Sequence, residues 1–426
     1  MKKHGFLVLV LVMAASLLIG CAGEKRQLNI LIAGGLSEPN EKLFFDEFVS
    51  AFKDKEKAEV NITYSSQADG ITKIKSEIDN RNVTTDIVFV DTANMGPYTQ
   101  GGWTEDITEL VRGFPVTFTD MFDASTNRDG KRYFMPISFD IYIFLANRLA
   151  LPYMPPDVEV KKDGSGKVTE ITKITWEQFR DWGNAIAAAG QGAKTGFPTG
   201  TSGSQLLYPL GGVQLAYGLD VYPKIDHPAT LVAFGIIAEM ARGKSVLDAG
   251  LLSQYNRPME LIKNGDLWLS FAHMGPLGDA YKAAPDAYVL GPGPVGSTGK
   301  TGSTAGAWTL GIVKGAKNRE LAEKWLAYNA DQANNYRYCK GLGGVMSPVK
   351  EAGALLGEGT TDRIMRAGID SLATGARVTG LPTADFVSWD AVKMLYTDIY
   401  NAVLSGKTLT QADITAYQDQ LDGMRK

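Results

Sequence analysis

The sequence predicts an α/β protein built on a parallel sheet and divided into more than one domain. Strand and helix patterns alternate over about 65 residues from Leu28, the signature of βαβ units. The chain has 426 residues, enough for about two to three domains of roughly 100–200 residues each. Its 47 glycines and 18 prolines are clustered between apolar runs, as in a fold rich in connections.

Residues 1–20 read as an address. Lys2 and Lys3 precede a fourteen-residue apolar stretch from Phe6 to Ile19, too short for a stable helix across about 30 Å of hydrocarbon. That is the pattern of a secretory signal peptide. The run ends Leu18-Ile19-Gly20-Cys21. Small residues before a cysteine resemble a bacterial lipobox, which implies cleavage before Cys21 and lipidation there. Residues 21–27 then form a polar tether. The expected location is the extracytoplasmic side of a bacterial envelope, anchored through lipid and not spanning the membrane.

After the tether, Leu28 to Ala33 is a short apolar strand stopped by Gly34-Gly35. Ser37 can cap the following helix, where Phe45, Phe48 and Phe52 fall on one face. Glu59 to Tyr64 reads as a strand, and Ile71, Ile74 and Ile78 mark an amphipathic helix. Asp86 to Val90 is a buried strand. Ser138 to Ala146 alternates like a single strand, and Lys161 to Lys167 is a polar hairpin tip. Thr175 caps a helix opening with Trp176. Residues 230–265 read as helical, and Asp266 to Ala272 as a strand. Another strand runs from Ala287 to Leu290. Gly291 to Gly306 reads as a long loop, of the kind that is functional or mobile. Trp308 to Val313 is a strand, Arg319 to Ala330 a helix, and the chain beyond 355 mainly helical.

Composition excludes several functions. Lys and Arg number 43 against 47 Asp and Glu, a net charge of −4, which leaves no basic excess for a nucleic-acid backbone. Three histidines and two cysteines, without CxxC or HExxH spacing, argue against a Cys/His zinc site. Gly296 to Thr301 lacks the first glycine of a phosphate-binding loop, and a strand follows where a helix is needed. No Gly-x-Ser-x-Gly elbow occurs. The expectation is therefore a chain with no cofactor, no metal and no catalytic residue. A hydrolase with carboxylates far apart along the sequence is the competing class.

Five segments carry a further likeness. They are Leu28 to Phe52; Thr85 to Asp91 with Pro97 to Trp103; Asp129 to Ile137 continuing to Asn147; Thr175 to Phe179; and Gly306 to Ile312 with Glu320 to Leu326 and Gly343 to Pro348. Their order and spacing resemble the family 1 extracellular solute-binding proteins of ABC importers, especially the sugar-binding branch. The resemblance implies a periplasmic-binding-protein-like fold of two α/β lobes, with crossings near Ile137–Tyr142, Gly306–Leu310 and Val345–Pro348. The first lobe is expected from 28–138 plus 310–345 and the second from 139–309 plus 346–426. It also implies a monomer that traps a carbohydrate by hinge closure and hands it to permease subunits in the membrane. A polyol, a phosphorylated polyol or another small solute is the alternative ligand. Leu277, after Gly275-Pro276, stands where some oligosaccharide binders carry a stacking Trp, which argues against long maltodextrins.

A site for neutral hydroxylated rings needs carboxylates and amides for the hydroxyls and flat aromatics for the C–H faces. Asp91, Thr92 and Asn94 are polar residues at a strand end, though Asp91 also suits a helix cap. Asp140 is the one acid in an apolar run and needs a partner if buried. It sits where some family members contact ligand, and an interlobe salt bridge is its other reading. Trp308 and Trp389 are candidate ring platforms, with core packing as the alternative for Trp308. His273 and Met274 follow a strand and complete the main set. Glu38, Tyr98 and Gln205 are further candidates for which surface or core roles fit as well.

Overall fold

The computed structural model describes residues 26–36, 39–119, 126–128, 130–197, 205–247, 258–373, 375, 377–379 and 382–426. The leader, Cys21, most of the tether and Glu38 lie outside these residues. No helix among the described residues is long and apolar enough to cross a membrane.

The chain forms two α/β lobes. The first has a five-stranded sheet in the order Glu59–Ser65, Gln27–Ala33, Ile87–Asp91, Gly306–Ile312, Met135–Asp140. Its first three strands are parallel, as the βαβ pattern requires. The last two join antiparallel, so the sheet is mixed. The second lobe has a four-stranded sheet: Thr195–Gly196, Leu269–His273, Tyr142–Asn147, Tyr288–Gly291. One face of the first sheet is covered by an aromatic cluster. Phe45, Phe48 and Phe52 of the helix Pro39–Glu56 set their rings 6.3, 5.9 and 4.9 Å from Trp325. Burying each is worth about 1.5–3 kcal/mol. The spacing of three, then four residues puts all three on one helical stripe.

The expected strand 138–146 is two strands. Met135–Asp140 belongs to the first sheet and Tyr142–Asn147 to the second. Ile141 is the break, and its carbonyl accepts from the Met274 amide at 3.0 Å. The alternation continues through the break because residues on both sides are buried, so the pattern carries no mark of a change of sheet. A second crossing follows Gly302–Thr304, which pairs with Arg377–Thr379, before Gly306–Ile312 enters the first sheet.

The segment of the third expected crossing touches both lobes. Met346 bridges to Phe139. Glu351 accepts from the Thr117 amide at 3.0 and 3.1 Å, and its carbonyl accepts from Gln332 at 2.7 Å. Met346 packs into the second-lobe core, residues 347–355 lie against the first lobe, and the helix Thr360–Ala373 follows. That helix is shared. Met365 packs into the first-lobe core, while Ile364 and Ala367 pack into the second. At its start, buried Asp362 accepts from Tyr336 and Lys340 of the helix Gln332–Gly341, at 2.5 and 2.8 Å.

The glycine-rich tract 291–306 is packed, not a free loop. Residues 290–295 and 301–305 are buried. A Cβ on Gly302 would lie 2.0 Å from the Gly212 carbonyl oxygen. The glycines are there because two backbones touch.

Candidate functional site

A cavity of about 570 Å³ opens between the lobes. The first lobe contributes Gln67, Asp91, Asn94 and Gln100. The second contributes Gln205, Tyr208, Phe386, Trp389, Asp390 and Lys393, with Lys426 beside them. The Thr383 hydroxyl donates to the Ala93 carbonyl across the seam. Ligands in α/β folds meet polar groups at such strand ends.

Asp91 ends the strand Ile87–Asp91 and caps the short turn Thr92–Asn94. Its carboxylate accepts from Gln67 at 2.6 Å, from the Asn94 amide N–H at 3.0 Å, and from the Asn94 side chain at 2.8 and 3.0 Å. Four bonds fill its acceptor sites. Burial raises its pKa, and the bonds from Asn94 and Gln67 pull against that rise. Asp91 thus holds Gln67 and Asn94 in place along the wall. Thr92 accepts from the Ala307 amide at 3.3 Å, which ties this turn to the crossing strand.

On the opposite wall the Trp389 indole N–H donates to the Tyr208 phenol oxygen at 3.1 Å. Phe386 packs tilted against Trp389, with ring centres 5.5 Å apart. Tyr208 also meets His273 edge-on, centres 6.4 Å apart, and His273 lies 4.1 Å from the Tyr142 ring. Asp140 accepts from the Met274 amide at 2.8 Å, and its other oxygen is 3.5 Å from His273 Nδ1. Tyr208 therefore links the cavity to the first crossing.

A two-lobed chain with a polar, aromatic cleft has the form of a receptor for small solutes. The family model of the bacterial extracellular solute-binding protein matches residues 47–366. The chain belongs to that family. No curated protein matches this solute-binding protein in sequence, but solved structures share its fold. The ABC substrate-binding protein Lmo0181 of Listeria monocytogenes, in complex with cycloalternan, has a TM-score of 0.70 at 16% identity, covering 94% of this chain and 99% of that one. The sugar-binding protein MalE of Xanthomonas citri gives 0.71 at 14%, covering 93% and 96%. UgpB of Mycobacterium tuberculosis, in complex with glycerophosphocholine, gives 0.69 at 16%, covering 94% and 98%.

The structure of this solute-binding protein gathers Asp91, Asn94, Gln205 and Trp389 around one cavity. Asp140 and His273 stand at the crossing beyond Tyr208. Trp308 pairs with Asp91 in the ladder but is not among the residues lining that cavity. One face of its indole stacks on Phe89, with centres 5.0 Å apart. Tyr98 and Met274 do not reach the cleft, and the geometry corrects both. Tyr98 is wholly buried, packed edge-on against Trp103 and Phe134. Met274 is buried too, with its thioether turned to Gly368, and only its amide meets Asp140. Gln67, Gln100, Tyr208, Thr383, Lys393 and Lys426 escaped the sequence reading. Tyr208 sits in the apolar run Leu206 to Leu210 and reads as core. The lysines read as solvent-facing charge.

Proposed function

We propose that this chain captures a carbohydrate between its lobes and delivers it unchanged to the membrane subunits of an ABC importer. The observation that carries the proposal is the composition of the interlobe cavity. Amides of Gln67, Asn94 and Gln100 on the first lobe stand opposite the aromatic set Tyr208, Phe386 and Trp389, with the Gln205 amide beside those rings. Amides donate to and accept from hydroxyls, and indole and phenol rings cover the apolar face of a sugar ring. The neighbours solved with cycloalternan, acarbose, maltose and tagatose support the same class. Cys21 carries the lipid that keeps the monomer at the envelope surface. Asp91, the carboxylate in this wall, is a saturated cap and not a poised acid or base, which supports binding without turnover.

Calorimetry over a panel of mono- and disaccharides tests this, with small-angle scattering on the same samples. The expected result is a Kd of about 0.1–10 μM for at least one sugar, a smaller radius of gyration with it, and no product. Heat-silent titrations and an unchanged radius with every sugar would refute the reading. Release of a hydrolysis product would move the chain to the enzymes.

A further inference from the structure

We propose that the solute carries an anionic group, a carboxylate or a phosphate, read by Lys393 and Lys426. This rests on the carbohydrate reading of the same cleft. The argument is an inventory of donors. Lys393 lines the cavity with its side chain 21% exposed, yet its ion-pair partner is Asp390, 86% exposed, at 3.0 Å. An ion pair with a carboxylate so far into solvent is weak. Two of its ammonium N–H groups remain unused among the described residues.

Lys426 lines the same cavity, and its ammonium has no ion-pair or hydrogen-bond partner among the described residues. It is placed there by backbone bonds. The Lys426 amide donates to the Asp385 carbonyl at 3.0 Å, and the Val387 amide to the Met424 carbonyl at 2.9 Å. Tyr208 accepts from Trp389, which leaves its own O–H to donate into the cavity. The second-lobe wall therefore offers two ammonium groups and a phenol.

Of the two nearby aspartates, Asp390 takes one N–H of the Lys393 ammonium and Asp91 takes none of these donors. Asp91 is filled by Gln67 and Asn94, and Asp390 faces water. A wall of unspent donors, two of them charged, is complementary to an acceptor-rich anion, and charge-assisted bonds are the strong ones. The opposite wall of amides suits the hydroxyls of the same molecule.

Matched probes test it by calorimetry: maltose against maltobionate, and trehalose against trehalose 6-phosphate. The expected result is that at least one anionic probe binds about tenfold tighter than its neutral parent or more. The carboxylate and phosphate arms tell which group is read. Lys393→Gln and Lys426→Gln should each shrink that preference, with the melting temperature unchanged. Neutral parents binding as well as the anions would overturn the anionic assignment and leave the carbohydrate reading standing. An anion preference untouched by both substitutions would remove these two lysines. A folded chain that binds no probe would sink both readings.

Discussion

Trp389 and Tyr208 are joined by an indole-to-phenol hydrogen bond of 3.1 Å, so the two rings on the second-lobe wall are fixed relative to each other. Removing Trp389 removes a ring face and frees Tyr208. Trp389→Ala should raise the Kd for the bound solute by about tenfold, combining about 0.5–1.5 kcal/mol for aromatic geometry with a similar amount for the hydrogen bond. Calorimetry reads it. An affinity equal to wild type would take this wall out of the site.

Asp140 connects the first crossing to the helix Met274–Ala283 through the Met274 amide. Asp140→Ala leaves that amide N–H with the Ile141 carbonyl alone. The expected loss is about 1 kcal/mol of stability, seen as a lower urea midpoint with an unchanged slope. Asp140→Asn keeps an acceptor and should recover most of it. Equal midpoints for the wild type and the Ala variant would contradict this role.

Gly302 is a site where a single methyl has no room. Gly302→Ala should cost about 1–3 kcal/mol, the range for overpacking, because the new carbon meets the Gly212 carbonyl. Gly306→Ala, with nothing within reach of the added carbon, is the control. Both variants melting like wild type would show that the tract is looser than its packing implies.

Acid should weaken the first lobe through Glu77. Burial opposes its charge, but hydrogen bonds from Lys73, Thr84 and Thr85 outweigh it and bring the pKa down to about 2 from 4.5. A folded-state pKa below the unfolded one means stability present above pH 4.5, lost as pH falls from there towards 2. Glu77→Gln should flatten that part of a stability–pH curve and lower stability at neutral pH. A variant with the wild-type acid slope would show that Glu77 does not set it.

Cys21 carries the envelope anchor in the proposed function. Cys21→Ala should move the protein from the membrane fraction to the soluble fraction, with solute affinity unchanged. Labelling with a radioactive fatty acid should vanish in the same variant. Persistent membrane recovery would contradict lipidation at this residue.

Much of the first lobe is legible because its signals are local. Phe45, Phe48 and Phe52 repeat at helical spacing, and Leu28 to Ala33 is stopped by two glycines. In the second lobe, Thr175 and Gln178 form the capping box that starts the helix Trp176–Ile186, an equally local signal. What sequence cannot carry is a change of partner. The run through Asp140 and Ile141 keeps its alternation while passing from one sheet to the other. The glycines of 291–306 look like a loop because the backbone they touch, at Gly212, is about ninety residues away in sequence. In the site, Asp91 and Trp389 are recognisable by residue type and place. Tyr208 is hidden because an aromatic in an apolar run has the same local pattern in a core or a cleft. Tyr98 and Met274 show the converse, sitting near site segments with side chains turned inward.

The helix Thr360–Ala373 belongs to both lobes at once, gripped by Met365 on one side and by Ile364 and Ala367 on the other. In the proposed closure it serves as an axle. Opening the jaws without tearing either hydrophobic cluster demands rotation close to this rod, so its amides should exchange among the slowest in the molecule, with or without cargo. In the proposed closure, the walls that carry Trp389 and Asn94 turn about this rod.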